Sequence, residues 1–191
     1  MTLTTLLVPT YRRMLATLAR WLDKAEAHMT ADAAGRADAL LSARLAPDMF
    51  PLSSQIRFAC VQAHEALCRL KGEAFPQIVS VLLDEGRNAG TDPGTIADAR
   101  ARISDTIALL DAVAPDGLDV EPGQPIAHAL PNGMVFDLTA QEYARDWTLP
   151  QFYFHLMIAY AILRHEGVPL GKADYVAHMF AHLRPGTLPG A

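Results

Sequence analysis

The stretch Leu149–Tyr175, LPQFYFHLMIAYAILRHEGVPLGKADY, joins the longest apolar helix signal in the chain to its densest cluster of polar and aromatic side chains. No Pro or Gly interrupts Gln151 to Glu166, while Thr148 and Pro150 read as an N-cap and a first-turn proline, and Gly167 and Pro169 close the run. The spacing predicts a helix of about four turns. Phe152, His155, Ile158, Ala159 and Ile162 fall on one face of it, with Tyr153, Tyr160 and Arg164 opposite. His155 is therefore expected to face the core. A helix apolar nearly all round is expected to be packed against neighbours on most of its surface. It is too polar and too short to span a membrane.

With 191 residues, 51% hydrophobic and 19% charged, the chain has ordinary globular composition, and residues 1–191 are expected to form one domain with a short flexible tail. A formal charge of -5 and the absence of a basic run argue against a nucleic acid or an anionic membrane as partner. The amino terminus, MTLTTLLVPTYRRML, has no basic residue ahead of its short apolar run, so it lacks a signal-peptide pattern and a cytoplasmic location is expected. Cys60 and Cys68 lie on one predicted helix with a rise of roughly 12 Å between them, beyond disulfide reach, and read as reduced buried thiols.

Taken in order, Tyr11, Met14, Leu15, Leu18, Leu22 and Ala25 recur at helical spacing and predict a first helix from Pro9 to about His28. An Ala- and Asp-rich connection through Gly35 leads to LAPDMFPL at Leu45–Leu52. There Pro47 and Pro51 bracket Asp48, Met49 and Phe50, so that Phe50 is expected to plug one end of a bundle and Asp48 to cap local backbone. A second helix runs from Pro51 or Ser53 to Leu70 and ends at Gly72, with Ile56, Cys60, Ala63, Leu67 and Leu70 as its stripe and His64 at the margin. A short helix over Phe75–Leu83 and a turn-rich crossover over Gly86–Gly94 precede a third long helix from Ile96 to about Val113. In PIAHALPNGMVFDL, Asn132-Gly133 predicts a type I′ hairpin before the last long helix. A final amphipathic segment spans Ala173–Leu183, followed by the PGTLPGA tail.

LDKAEAH at Leu22–His28, LAPDMFPL, LPQFYFH and AYAILRHEGVPLGKADY together resemble a family of unknown function within the DinB/YfiT-like metalloenzyme superfamily. The resemblance covers nearly all of the chain to Tyr175. It implies a mainly α, up-down-down-up four-helix bundle, with a divalent metal often held between helices two and four by three histidines. It would place His155 on one ligand position and Gln151, one turn earlier, where a second histidine belongs. In helix two, members of this family usually carry Asp and Lys where this chain has Val61 and His64.

Zinc needs three or four imidazole, thiolate or carboxylate ligands, and a glutamine carbonyl is a poor replacement. The pair His178 and His182 has helical i, i+4 spacing but no third partner in the sequence. Two readings of function follow. In the first the chain is a dimeric small-molecule-binding or interaction protein with no complete metal site, its pocket candidates being Asp48, Phe50, Gln151, Tyr153, His155 and Tyr160. In the second it is a divalent-metal-dependent transferase or hydrolase, with His64 and His155 as ligands.

Overall fold

In the computed structural model, residues 1–32 and 37–187 are described; the expected connection at Gly35 and the end of the tail, 188–191, lie outside them. Helix α1 spans Leu3–Asp32, six residues longer at its start than the proline signal predicts. Two pairs of hydrogen bonds explain the difference. The Thr5 N–H donates to Thr2 Oγ1 (3.3 Å) and the Thr2 N–H to Thr5 Oγ1 (3.0 Å), a local cap ahead of Pro9. The Leu118 N–H then donates to Thr4 Oγ1 (2.8 Å) and the Thr4 N–H to Asp119 Oδ1 (2.9 Å), which ties the first turn to a distant loop. Pro9 sits inside the helix.

After a 3₁₀ turn over Asp38–Ser42 come α2 (Leu52–Lys71), α3 (Gln77–Asn88) and α4 (Ile96–Asp111). The predicted end of α2 is met: Gly72 adopts φ 67° and its N–H closes onto Cys68 and Arg69 carbonyls, a conformation that glycine reaches without Cβ strain. Helix α4 opens on a reciprocal cap between Thr95 and Asp98. Helix α3 runs through Gly86 and does not break there. A Cβ at Gly86 would lie 2.5 Å from the Phe58 ring, and the Gly86 carbonyl accepts from Ser54 Oγ (2.6 Å), so the glycine permits α2 and α3 to touch backbone to ring.

Strands β1 (Pro125–Ala129) and β2 (Val135–Thr139) pair antiparallel, Pro125 opposite Thr139 and Ala129 opposite Val135. The hairpin is present, but its turn is not type I′: among the described residues only glycines have positive φ. Pro131 is the cause, since its fixed negative φ suits the second position of a type I turn. The Gly133 N–H then donates to the Leu130 carbonyl (3.0 Å) with Gly133 at φ 87°, a three-residue loop closed by a left-handed glycine.

The expected N-cap at Thr148 is also corrected. Helix α5 (Ala140–Glu142), capped by Thr139 and Glu142, continues through a π segment over Tyr143–Thr148 into α6 (Leu149–His165), and Thr148 has helical φ and ψ. The Leu149 N–H reaches back to the Ala144 carbonyl, widening the turn just ahead of Pro150, which has no N–H to give and would crowd the carbonyl one turn back. Past Gly167 the chain forms only α7 (Lys172–Tyr175) and a 3₁₀ segment over Ala177–His182 in place of one amphipathic helix.

The four long helices close a ring, with α1 against α4 and α6, and α2 against the same two; α3 packs on α2. One cluster of buried side chains runs through all of them, including Tyr11, Trp21, Leu22, Ile56, Ile103 and Phe152. This is the mainly helical bundle with a hairpin before its last long helix. No helix among the described residues is long and apolar enough to cross a membrane.

Candidate functional site

The most enclosed helix is α2, whose buried residues include Ser53, Ser54, Gln55, Arg57 and His64 beside its apolar stripe. Each of these side chains makes at least one hydrogen bond, although Arg57 Nη1 and His64 Nδ1 are buried without a partner. Ser53 Oγ donates to the Pro93 carbonyl (2.6 Å), and Arg57 Nε to Glu85 (3.3 Å), which Arg102 of α4 also engages. Gln55 Nε2 donates to the Phe50 carbonyl (3.1 Å), which turns Gln55 Oε1 toward His155 Nδ1 at 2.9 Å. Because the Phe50 carbonyl can only accept, the amide orientation is fixed, and Nδ1 must carry the proton that Oε1 accepts. The other ring nitrogen of His155 keeps its lone pair. His155 is half-buried at the edge of the core and does not point into it, and the desolvation it does meet favours the neutral ring and pushes its titration down to about 4.

Aromatic rings surround this pair. Phe58 lies 5.3 Å from His155, Phe50 stands edge-on to Phe58 at 5.3 Å, and Phe154 lies 5.4 Å from His155. Phe50 does not plug the bundle: it is 49% exposed, because its ring rests on Phe58 outside the core. Asp48 is exposed in the same turn and Gln151 is partly buried on α6. Tyr153 and Tyr160 face the other way. Tyr160 packs edge-on against Trp21 of α1 at 5.2 Å, and Tyr153 packs on Phe152 at 5.7 Å, so the six pocket candidates do not converge.

His64 and His155 do not converge either. Gln55, the residue that meets His155, lies nine positions before His64 on α2. That is about two and a half turns, which puts the two side chains on opposite faces roughly 14 Å apart along the axis. His64 Nε2 instead lies 3.3 Å from Thr106 Oγ1 of α4. Val61 is buried in the core. His178 and His182 sit on the 3₁₀ segment, whose three-residue turn does not align positions four apart. Both cysteines are free; Cys60 points its thiol at the Arg102 carbonyl (3.7 Å), and burial pushes it up to about 11, which leaves it an unreactive thiol.

The sequence reading passed over His128. On β1 it alternates inward with Ile126 and is 2% exposed, with Trp147 at 4.2 Å and Tyr143 at 5.5 Å, both from the π segment. Burial, with Arg69 nearby as a second cause, pushes its titration down to about 4. Period-two alternation in PIAHA is the signal that could have found it.

The divalent metal implied by the resemblance needs at least three strong donors. At the α2–α6 contact His155 could offer its free Nε2, but the side chains packed on its ring are Phe58 and Phe154, which supply no second donor. Among the described residues no group of three or more His, Cys, Asp or Glu side chains is placed to hold a metal ion. The donor set does not fit.

Residues 3–176 match the family described as a domain of unknown function, DUF1993. Among solved structures the chain is similar to a DinB family member protein from Shewanella denitrificans, at 31% sequence identity and a TM-score of 0.74, with 98% of this chain and 96% of that one covered. No curated protein matches the chain.

Proposed function

The chain belongs to the DUF1993 family, with a DinB-like fold, and from that premise we propose that it is a homodimeric small-molecule-binding or interaction protein that works without a complete metal site. The observation that carries this reading is the pair His155–Gln55: where a metal site needs converging imidazoles, this chain sets a glutamine amide against a single one. The surface around the pair supports self-association. Phe154 is 57% exposed and Met157 38%, one turn apart on α6, and ring contacts link Phe154 through His155 and Phe58 to the exposed Phe50. A two-fold contact would cover such a patch with its own copy.

Metal analysis of protein purified without an affinity tag, together with light scattering, tests the reading. We expect no stoichiometric metal and a dimer at micromolar concentration. About one equivalent of retained zinc, manganese or nickel would instead favour the metal-dependent transferase or hydrolase reading, and a monomer would remove the dimer.

A further inference from the structure

A cavity of about 390 Å³ opens between α2, α4 and the start of α3, with His64, Leu67, Cys68, Ile78, Leu109 and Val113 in its lining. It lies on the face of α2 that carries His64, across the helix from Gln55 and His155. Its size and apolar walls suit a small organic molecule.

The buried polar side chain in that wall is His64, and its hydrogen bonding can be worked out. Thr106 Oγ1 donates its single proton to the Arg102 carbonyl at 2.7 Å. Toward His64 Nε2, at 3.3 Å, the same oxygen can therefore only accept, so Nε2 carries the ring proton. Nδ1 is left as a bare acceptor. It is buried, His64 being 5% exposed, and no protein donor reaches it. A buried acceptor without a donor is costly, and the cost is removed by whatever brings an O–H or N–H to it. Burial lowers the ring's proton affinity and keeps it neutral, so the missing partner is a donor and not an anion.

We propose that this cavity binds a small molecule with an apolar body and a single hydroxyl or N–H donor, such as an alkylphenol, whose donor is received by His64 Nδ1. Lys71 and Glu73, both exposed, stand in the lining with opposite charges and so select no net charge on the ligand. The proposal rests on the reading of the bundle as a binding protein, but it uses a different face from the His155 patch.

Calorimetry on the full chain with 4-propylphenol and with 4-propylanisole separates the donor from the apolar body. The phenol should bind about tenfold more tightly than the ether, the effect of one hydrogen bond to a buried acceptor. In His64→Phe the two should bind alike, and in Thr106→Val, where Nε2 loses its acceptor and the tautomer is released, the ratio should fall. Val113→Phe, which fills the cavity, should bind neither. Equal binding of both probes to the wild type, or binding of neither, would overturn the proposal and leave an ordered water as the partner of Nδ1. The wild-type ratio decides even where a variant fails to fold. A negative result in metal-free protein would remove this site alone, whereas retained metal would strike at the binding-protein reading.

Discussion

Helices α2 and α6 invert the rule that the more apolar segment is the more buried. Helix α6 reads LPQFYFHLMIAYAILRH, yet it turns Phe154 and Met157 outward. Helix α2 carries Ser53, Ser54, Gln55, Arg57 and His64, and these five are buried. The difference lies in neighbours. Helix α2 is touched by α3, α4 and α6, and each of these five side chains meets a backbone carbonyl or a complementary group on one of them or in the flanking loops. Helix α6 has α1 and α2 on its inner side only. Burial thus follows from how many elements surround a helix, and polar residues are tolerated wherever those elements supply partners.

Acidification tests the contrast most broadly. His128 and His155 titrate in the folded protein at about 4, and the buried His64 is lowered as well. In the unfolded chain such rings take up protons at about 6.5. Between those limits the unfolded state binds more protons, so stability rises with pH across the window and is lost as pH falls through it, by several kcal/mol in all. Denaturant unfolding at a series of pH values should show that slope from about 6.5 down to about 4 and none from these groups below it.

Next in size is Gly86→Val. The new side chain meets the Phe58 ring on the enclosed side of α2, and we expect a loss of about 3 kcal/mol from overpacking, read as a lower denaturant midpoint. Gln55→Leu should cost about 2 kcal/mol, although it makes α2 more apolar, because it leaves the Phe50 carbonyl and His155 Nδ1 without their partner. A stabilised Gln55→Leu protein would break the comparison. The smallest effect belongs to Phe154→Ser on the outer face of α6. Monomer stability should change by no more than about 0.5 kcal/mol, while light scattering should show the dimer weakened.

Much of the bundle was legible because periodicity reports directly on a core-facing stripe. Ile56, Cys60, Ala63, Leu67 and Leu70 are all buried, and the helix ends at Gly72 and Gly167 fall where a left-handed glycine is needed. What escaped depends on contacts between segments distant in sequence. Gly86 looks like a turn residue until Phe58 is set against it. Thr148 looks like an N-cap, but Thr139 and Glu142 start the helix earlier and the π segment absorbs Pro150. Gln55 carries no signal of its own; only the facing of α2 on α6 selects it over His64 as the partner of His155. The dispersal of Tyr153 and Tyr160 from Phe50 has the same origin, since a single helix presents its aromatics to two different neighbours.

The claim that His155 is fixed by Gln55, and not by a metal, is tested most directly by long-range proton–nitrogen correlation of the imidazole rings in untagged protein. The account predicts a neutral His155 ring with its proton on Nδ1, no protonation until pH approaches about 4, and no change on adding a chelator or an equivalent of zinc. A ring that titrates near 6.5, or whose second nitrogen shifts when zinc is added and returns when it is chelated, would contradict it.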